Sequence, residues 1–412
     1  MVWIAAVLGI ACSGTDAGGE TGAAREDDAA ARVVLDGAVL SEGALAVAAA
    51  PGGAWVAAAV DGGSDAVLAR LSDDLAVEWA LRLPGAHAPT DVVPTADGAW
   101  VLSGADGTDL ALTRVTADGA QVTRHDVVGF GEGRGVVVDD GLVVVNGARA
   151  VRLDGAFDVV WARDVAASAV RAVDDGLLLV GIGQIDGTPA VEVTAMGLDG
   201  SVRWQAAQTP GDGTYTPTGV AALSNGTVVA AFGAGATSDG ASLPVAPLYA
   251  ARFSSAGEPD GLYAFGGSAE VDGRAVPLRR AVGRTMTVDE SEVLVGLTAD
   301  DGTDAGAVSV LVRFADGRFV AAAAGASRVS ALESGPAFGG EARAGGIDLV
   351  RLSDLSSPCA APVTVVDTVR VEGGRVLRDA STAHVTEATA PALAFVDRPL
   401  SPAGLTSSGT CP

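Results

Sequence analysis

The stretch Leu68–Trp79, LARLSDDLAVEW, decides the fold. It reads as an apolar strand ending in Arg70 and Leu71, a polar turn through Ser72, Asp73 and Asp74, and a second strand carrying Trp79. Versions of it recur down the chain: LTRVTADGAQVT from Leu112, AVRLDGAFDVVW from Ala150, VTAMGLDGSVRW from Val193, YAARFSSAGEPDG from Tyr249, VLVRFADGRFV from Val310 and DLVRLSDL from Asp348. With Arg70 as anchor, the equivalent positions are Arg114, Arg152, Ala195, Arg252, Arg313 and Arg351. The steps between them are 44, 38, 43, 57, 61 and 38 residues. A period near that of a four-stranded blade, seven times over, predicts a β-propeller.

The first unit divides into four strands. LAVAA from Leu45 precedes the turn Pro51-Gly52-Gly53, AWVAAAV from Ala54 precedes Asp61-Gly62-Gly63, AVLARL from Ala66 precedes Ser72-Asp73-Asp74, and VEWALRL from Val77 ends at Pro84-Gly85. The Asp-Gly and Gly-Gly pairs are expected to supply the positive φ of tight hairpins. Trp55 and Trp100 fall at the same place in the first two units. Extra length, at Gly235 to Pro247 and at Gly266 to Gly283, is assigned to loops. The seventh unit is degenerate, with RVSAL from Arg328 as its first strand.

Val, Leu and Ala runs without helical periodicity suit strands covered on both faces, and closure into a ring removes the exposed edges of the end units. The fold class expected is all-β, a seven-bladed propeller of four-stranded antiparallel blades, with six or eight blades as alternatives because the last fifty or so residues resist assignment.

The unit with Asp-Gly after an apolar strand resembles the delta-60-type repeat of secreted bacterial propellers. The fuller form, in LDGAFDVVW to Trp161 and LDGSVRW to Trp204, with a weaker copy at Trp79, resembles the tryptophan-docking repeat of quinoprotein-like (PQQ-like) propellers. That resemblance implies that Trp79, Trp161 and Trp204 pack between blades. It also brings in an enzymatic alternative, a quinone (PQQ)-dependent dehydrogenase with Ca²⁺ held by carboxylates. No adjacent Cys pair and no compact Asp, Glu and Asn constellation accompanies it, so the enzymatic reading stays the alternative.

Met1 to Ala11, MVWIAAVLGIA, is apolar, too short for a membrane-spanning helix, and followed by Cys12. It resembles a bacterial lipoprotein signal in which Cys12 is lipidated. No basic residue precedes it, the first being Arg25, and Gly9 stands where such signals usually carry Leu. Residues 1–12 are thus assigned to a lipoprotein-type signal and lipidation site. Residues 13–31, small and acidic, are assigned to a disordered tether, 32–358 to the propeller and 359–412 to a closing segment. Export implies an oxidising compartment, so the remaining Cys359 and Cys411 are expected to form a disulfide that pins a tail folded back on the last blades.

The formal charge is −25, with 51 acidic residues against 26 basic ones, all of them Arg. This argues against a nucleic-acid partner, whose phosphates need a basic stripe. The turns joining second and third strands hold Asp61, Asp65, Asp106, Asp109, Asp186, Asp239, Asp300, Asp301 and Asp304, which should gather on one rim. Each Asp serves a hairpin first. Ca²⁺ at the rim is the lesser expectation, because the pattern lacks the ligand count of a calcium loop.

His87, His125 and His384 lie in different units with no ligand at metal spacing, and no G-x-S-x-G elbow occurs. The Gly-rich runs Gly129 to Gly135 and Gly233 to Gly240 open no helix and read as connections. No catalytic residue, metal ligand or cofactor site is therefore assigned. The expectation is a non-enzymatic scaffold of the bacterial cell envelope, lipid-anchored or secreted. It should be a monomer that meets a membrane only through its lipid and binds a protein or glycan ligand.

Overall fold

The computed structural model describes residues 32–409 apart from 38–39, 61–63, 106–107, 140, 212, 235–247, 272–273, 278–279, 290–291, 301–306, 316–317, 326–336, 344–345, 353–360, 371–374, 379–384, 397–400 and 404. The described residues form only strands and connections, and no helix among them is long and apolar enough to cross a membrane. The strands build a seven-bladed β-propeller of antiparallel blades.

The first blade contains Leu40–Ala50, Gly53–Val60, Asp65–Leu71 and Val77–Pro84 in sheet order from the inside out. The second contains His87–Thr95, Gly98–Gly104, Leu110–Thr116 and Val122–Val127. The third runs Arg134–Val138, Gly141–Val145, Gly147–Leu153 and Val159–Ala167, and the fourth Ala169–Val173, Gly176–Ile185, Thr188–Gly197 and Val202–Thr209. Tyr215–Ala222, Val228–Ala234, Leu248–Phe253 and Pro259–Val271 make the fifth. Arg280–Asp289, Glu292–Asp300, Ala307–Ala315 and Arg318–Gly325 make the sixth.

The seventh blade is composite. Ala337–Arg343 and Gly346–Leu352 supply its inner half, the N-terminal strand Arg32–Gly37 its third strand, and the C-terminal strand Leu405–Gly409 its fourth. Its innermost described strand is Ala337–Arg343, and the RVSAL run expected as the first strand lies outside the described residues. Arg32–Gly37, assigned from sequence only to the start of the propeller, closes the ring instead.

Between Leu352 and Leu405 the chain travels once around the outside of the ring, against the order of the blades. Ala361–Arg370 pairs with the outer strands of blades six and five, Arg375–Arg378 with that of blade four, and Thr386–Glu387 with blade three. Leu393–Phe395 then pairs with blade two and Ser401–Pro402 with blade one. Each blade from one to six thereby gains a fifth strand, blades five and six sharing Ala361–Arg370, and the tail is a belt rather than a flap on the last blades.

The core lies in the layers between neighbouring blades. One layer joins Trp55, Leu68 and Leu83 of blade one to Val92 and Val101 of blade two. Others join Leu112 to Leu142 and Leu153, Val143 to Leu177 and Leu179, and Val193 to Phe232 and Phe253. Two-sided burial explains the unbroken apolar runs of the middle strands: Gly53–Val60 is buried along its whole length. Small Ala side chains at Ala48, Ala57, Ala66 and Ala99 let the sheets approach closely.

The glycine that opens the second strand has a different reason from the positive φ expected of it. A Cβ at Gly53, Gly98, Gly141 or Gly176 would fall on the third strand's carbonyl oxygen at Leu71, Val115, Leu153 or Met196. Close approach is the requirement shared by all four; of them, only Gly53 also has positive φ (142°).

Candidate functional site

The anchor arginines hold the hairpins of their own blades. Arg70 donates to the Pro51 carbonyl at 2.6 Å and lies over Trp55, 5.4 Å from the ring centroid. Arg114 repeats this with Asp97 at 3.0 Å and Trp100 at 5.8 Å. Arg152 reaches Asp139 at 2.9 Å and, in the next blade, the Leu198 carbonyl at 2.7 Å. The Trp-Arg pairs are cross-strand partners in register, Trp55 opposite Arg70 and Trp100 opposite Arg114, which places each guanidinium over an indole.

Trp79, Trp161 and Trp204 sit on the outer strands of blades one, three and four. Each indole N–H donates to a turn carbonyl of the next blade: Trp79 to Ala117 at 3.0 Å, Trp161 to Leu198 at 2.8 Å and Trp204 to Ser255 at 3.0 Å. Each ring lies on a glycine of that same turn. A Cβ at Gly119, Gly200 or Gly257 would meet the indole of Trp79, Trp161 or Trp204 at 3.1, 3.1 or 2.5 Å. These glycines have φ of 70°, 80° and 80°.

The same turn position has positive φ in two further blades but carries a large side chain there, Phe157 (69°) in blade three and Leu75 (62°) in blade one. Blade two, which precedes Phe157, pairs Thr123 with Arg114 where blades one, three and four place Trp. Phe157 fills the space itself, 4.9 Å from the ring of Trp100 and stacked 3.8 Å from that of His125. Tryptophan in one blade therefore goes with glycine in the next, and absence of tryptophan with a bulky residue. The signal was present in the sequence as a correlation offset by one repeat, which a unit-by-unit comparison misses.

Of the expected acidic rim, Asp65, Asp109 and Asp186 are described. Asp61, Asp106, Asp239, Asp301 and Asp304 lie outside the described residues, and Asp300 is placed only as the end of a strand. Asp65 accepts from the Gly85 amide at 2.9 Å and from Arg82 at 2.6 Å. Asp109 accepts from the Gly129 amide at 2.8 Å. Both hold the link to the next blade, and Asp186 sits at φ 51° in the turn before Thr188. The opposite face, formed by the first and third turns of each blade, carries exposed Asp73, Asp97, Asp118, Asp139, Asp175 and Asp199. Among the described residues no group of three or more His, Cys, Asp or Glu is placed to hold a metal ion.

A further set of polar groups, carried by or next to inner strands, meets across blade boundaries. Asp91 of blade two accepts from the Gly135 amide of blade three at 3.0 Å and from the Val92 amide at 2.9 Å. Thr90 donates to the Gly133 carbonyl at 2.5 Å. Arg134 donates across to the Thr218 carbonyl of blade five at 3.4 Å, and the buried Thr218 hydroxyl has no partner. Desolvation pushes the Asp91 carboxyl above its usual range, against the lowering by the Gly135 amide and by Arg134. The inner strand of a blade leaves amides and carbonyls unpaired toward the axis, and Thr90 and Asp91 satisfy two of them across a blade boundary.

His125 stacks on Phe157 and meets Phe395 of the belt edge-on at 5.5 Å. Burial pulls its pKa down, against the opposing Asp126. His87 lies on the inner strand of blade two, while His384, Cys12, Cys359 and Cys411 lie outside the described residues.

No family model matches the chain, and no curated protein matches it. Among solved structures it is similar to the WD40 domain of Neurospora crassa Pan2, at 10% identity and a TM-score of 0.42, over 76% of this chain and 90% of that one. It is also similar to the WD40 repeats of RRP9, at 12% identity and a TM-score of 0.48, over 78% of this chain and 98% of that one.

Proposed function

We propose that this chain is a non-enzymatic propeller scaffold, held at a bacterial envelope membrane by lipidated Cys12 and presenting one face to a protein partner. The observation that carries the reading is where the tether must leave. Arg32 opens the third strand of blade seven, and third strands start on the face of the second-to-third-strand turns, where Asp65 and Asp109 lie. That face turns toward the membrane. The opposite face, with Asp118, Asp199 and their neighbours, turns away and suits a basic protein surface.

The same geometry supports the Cys359–Cys411 bridge. Gly346–Leu352 and Leu405–Gly409 flank Arg32–Gly37 on either side and run parallel to each other, so both end beside Arg32. Their ends stand two strand spacings apart, about 10 Å. Seven residues beyond Leu352 and two beyond Gly409 are enough to bring the sulfurs together.

The test is fractionation of cells expressing wild type and Cys12→Ser, with a dye-linked alcohol and sugar oxidation assay on the purified chain given PQQ and Ca²⁺. The variant should leave the membrane fraction and the assay should show no turnover. Retention at the wild-type level removes the anchor, and quinone-dependent turnover removes the scaffold reading.

A further inference from the structure

The belt ends on a slot. Leu405–Gly409 lies along the outer edge of Arg32–Gly37 in five residue pairs, Val33 opposite Gly409 through Gly37 opposite Leu405. Before it the belt touches blade one through Ser401, Pro402 and the Ala403 amide, which donates to the Ala80 carbonyl at 3.0 Å. Blades two and three are met as lightly and at equivalent places. Val396 donates to the Arg124 carbonyl at 3.1 Å and Ala388 to the Ala162 carbonyl at 3.1 Å. The stronger attachment lies farther back, where Tyr263–Ala269 pairs with Val363–Arg370.

We propose that the outer edge of Arg32–Gly37 is a strand-exchange site. Its occupant is the chain's own terminal strand in cis, and the same strand of a second copy in trans. Three features of the structure carry this. The donor strand is the outermost of its blade and pairs with Arg32–Gly37 alone, so it can leave without breaking any other blade. It is followed backward by contacts of two or three residues, which release one at a time from the end. Its register with Arg32–Gly37 is a backbone ladder, which a second copy reproduces pair for pair, so in the reduced chain cis and trans differ only in effective concentration, and a Cys359–Cys411 bridge would lock the cis form. An emptied slot leaves the unpaired amides and carbonyls of an edge strand, the group that recruits another strand.

The experiment uses the full chain, kept under reductant, with a specific protease site inserted between Val396 and Ser401. After cutting, a fluorescent peptide of residues 399–412 carrying Cys411→Ser is added. Uptake should approach one peptide per cut chain and reverse with excess unlabelled peptide. Uncut chain should take up little in the same time. A peptide with Thr406→Pro and Ser407→Pro should not bind, since one of two adjacent amides in an antiparallel pair faces the partner strand. A cut chain that stays folded and takes up no peptide overturns the slot, as does equal uptake of the proline peptide. In a second arm, two differently tagged uncut chains are mixed, concentrated and diluted. Mixed dimers that disappear when both carry Thr406→Pro and Ser407→Pro support exchange between copies. Peptide uptake without mixed dimers overturns the second copy as occupant.

Discussion

Exchanging the two halves of a blade junction tests whether the pairing of tryptophan with glycine is a packing rule. Trp161 is buried, 6% exposed, and rests on Gly200. Trp161→Ala removes an indole from a closed interface, a change that costs about 3–5 kcal/mol in buried sites. The lower end applies, because the Leu198 carbonyl keeps the Arg152 donor at 2.7 Å and is not orphaned. Gly200→Phe alone pushes a ring into the indole, about 1–3 kcal/mol of overpacking. Left-handed backbone adds about 1–2 kcal/mol for a residue with a Cβ. In the double variant the new ring enters the space the indole has left, as Phe157 does beside Thr123. Only the backbone term and imperfect filling remain, so the double should cost about 3 kcal/mol and the singles should be non-additive by about 2–5 kcal/mol. The assay is urea unfolding followed by far-UV circular dichroism, with a second probe to check that one transition is seen. Additivity within about 0.5 kcal/mol would refute the rule.

The turn carboxylates give the next expectation. Asp65→Ala should lower stability by about 1–3 kcal/mol, having left the buried Gly85 amide without its acceptor, and Asp109→Ala by only about 0.5–1.5 kcal/mol, since water reaches the exposed Gly129 amide. Millimolar Ca²⁺ should not move the melting temperature of either variant or of wild type, and a clear rise in wild type alone would make these residues calcium ligands. Acid should act through a second set. Thr116 holds Asp118, and Ser201 holds Asp199, below the ordinary carboxylate value of 3.8. Their folded pKa is depressed, so their stabilisation is present above pH 3.8 and fades as pH falls through the folded values. Asp91 has the opposite sign: its carboxyl is raised by burial, so its contribution is full below pH 3.8 and fades as pH rises. A variant with Asp118→Asn and Asp199→Asn should lose less stability than wild type on going below pH 3.8, and an unchanged acid limb would contradict the assignment.

The blades were legible because their signal is local and repeated. Arg70, Arg114 and Arg152 mark the third strand, the polar turn follows, and middle strands such as Gly53–Val60 are apolar throughout because sheets cover both faces. The role of Trp79, Trp161 and Trp204 was legible by resemblance, whereas their glycine partners were not, because each partner lies in the following repeat. Asp91 was invisible for another reason. Nothing in AHAPTDVVPT, Ala86 to Thr95, separates it from a turn aspartate, and only the ring brings Gly135 within 3.0 Å of it.

The belt shows where sequence pattern stops carrying information. Strand recognition rests on alternation or on an apolar run of four to eight residues. Thr386–Glu387 and Ser401–Pro402 are two residues long, and Leu393–Phe395 leaves Phe395 largely exposed. Such segments lend the blade cores only single side chains, Val385, Ala388, Leu393 and Ala403, so no run or alternation is written into them. What fixes them is the row of unpaired backbone groups on the outer strands, which the blades create whatever the tail's side chains are. Arg32–Gly37 is the same case seen from the other end, since RVVLDG reads as an ordinary strand and its neighbours are supplied by residues more than three hundred positions away. A covered edge on both sides of that strand means that pulling on the N-terminus loads two ladders at once. Any tether at the N-terminus therefore draws on the strand that closes the ring, and the belt is what backs it.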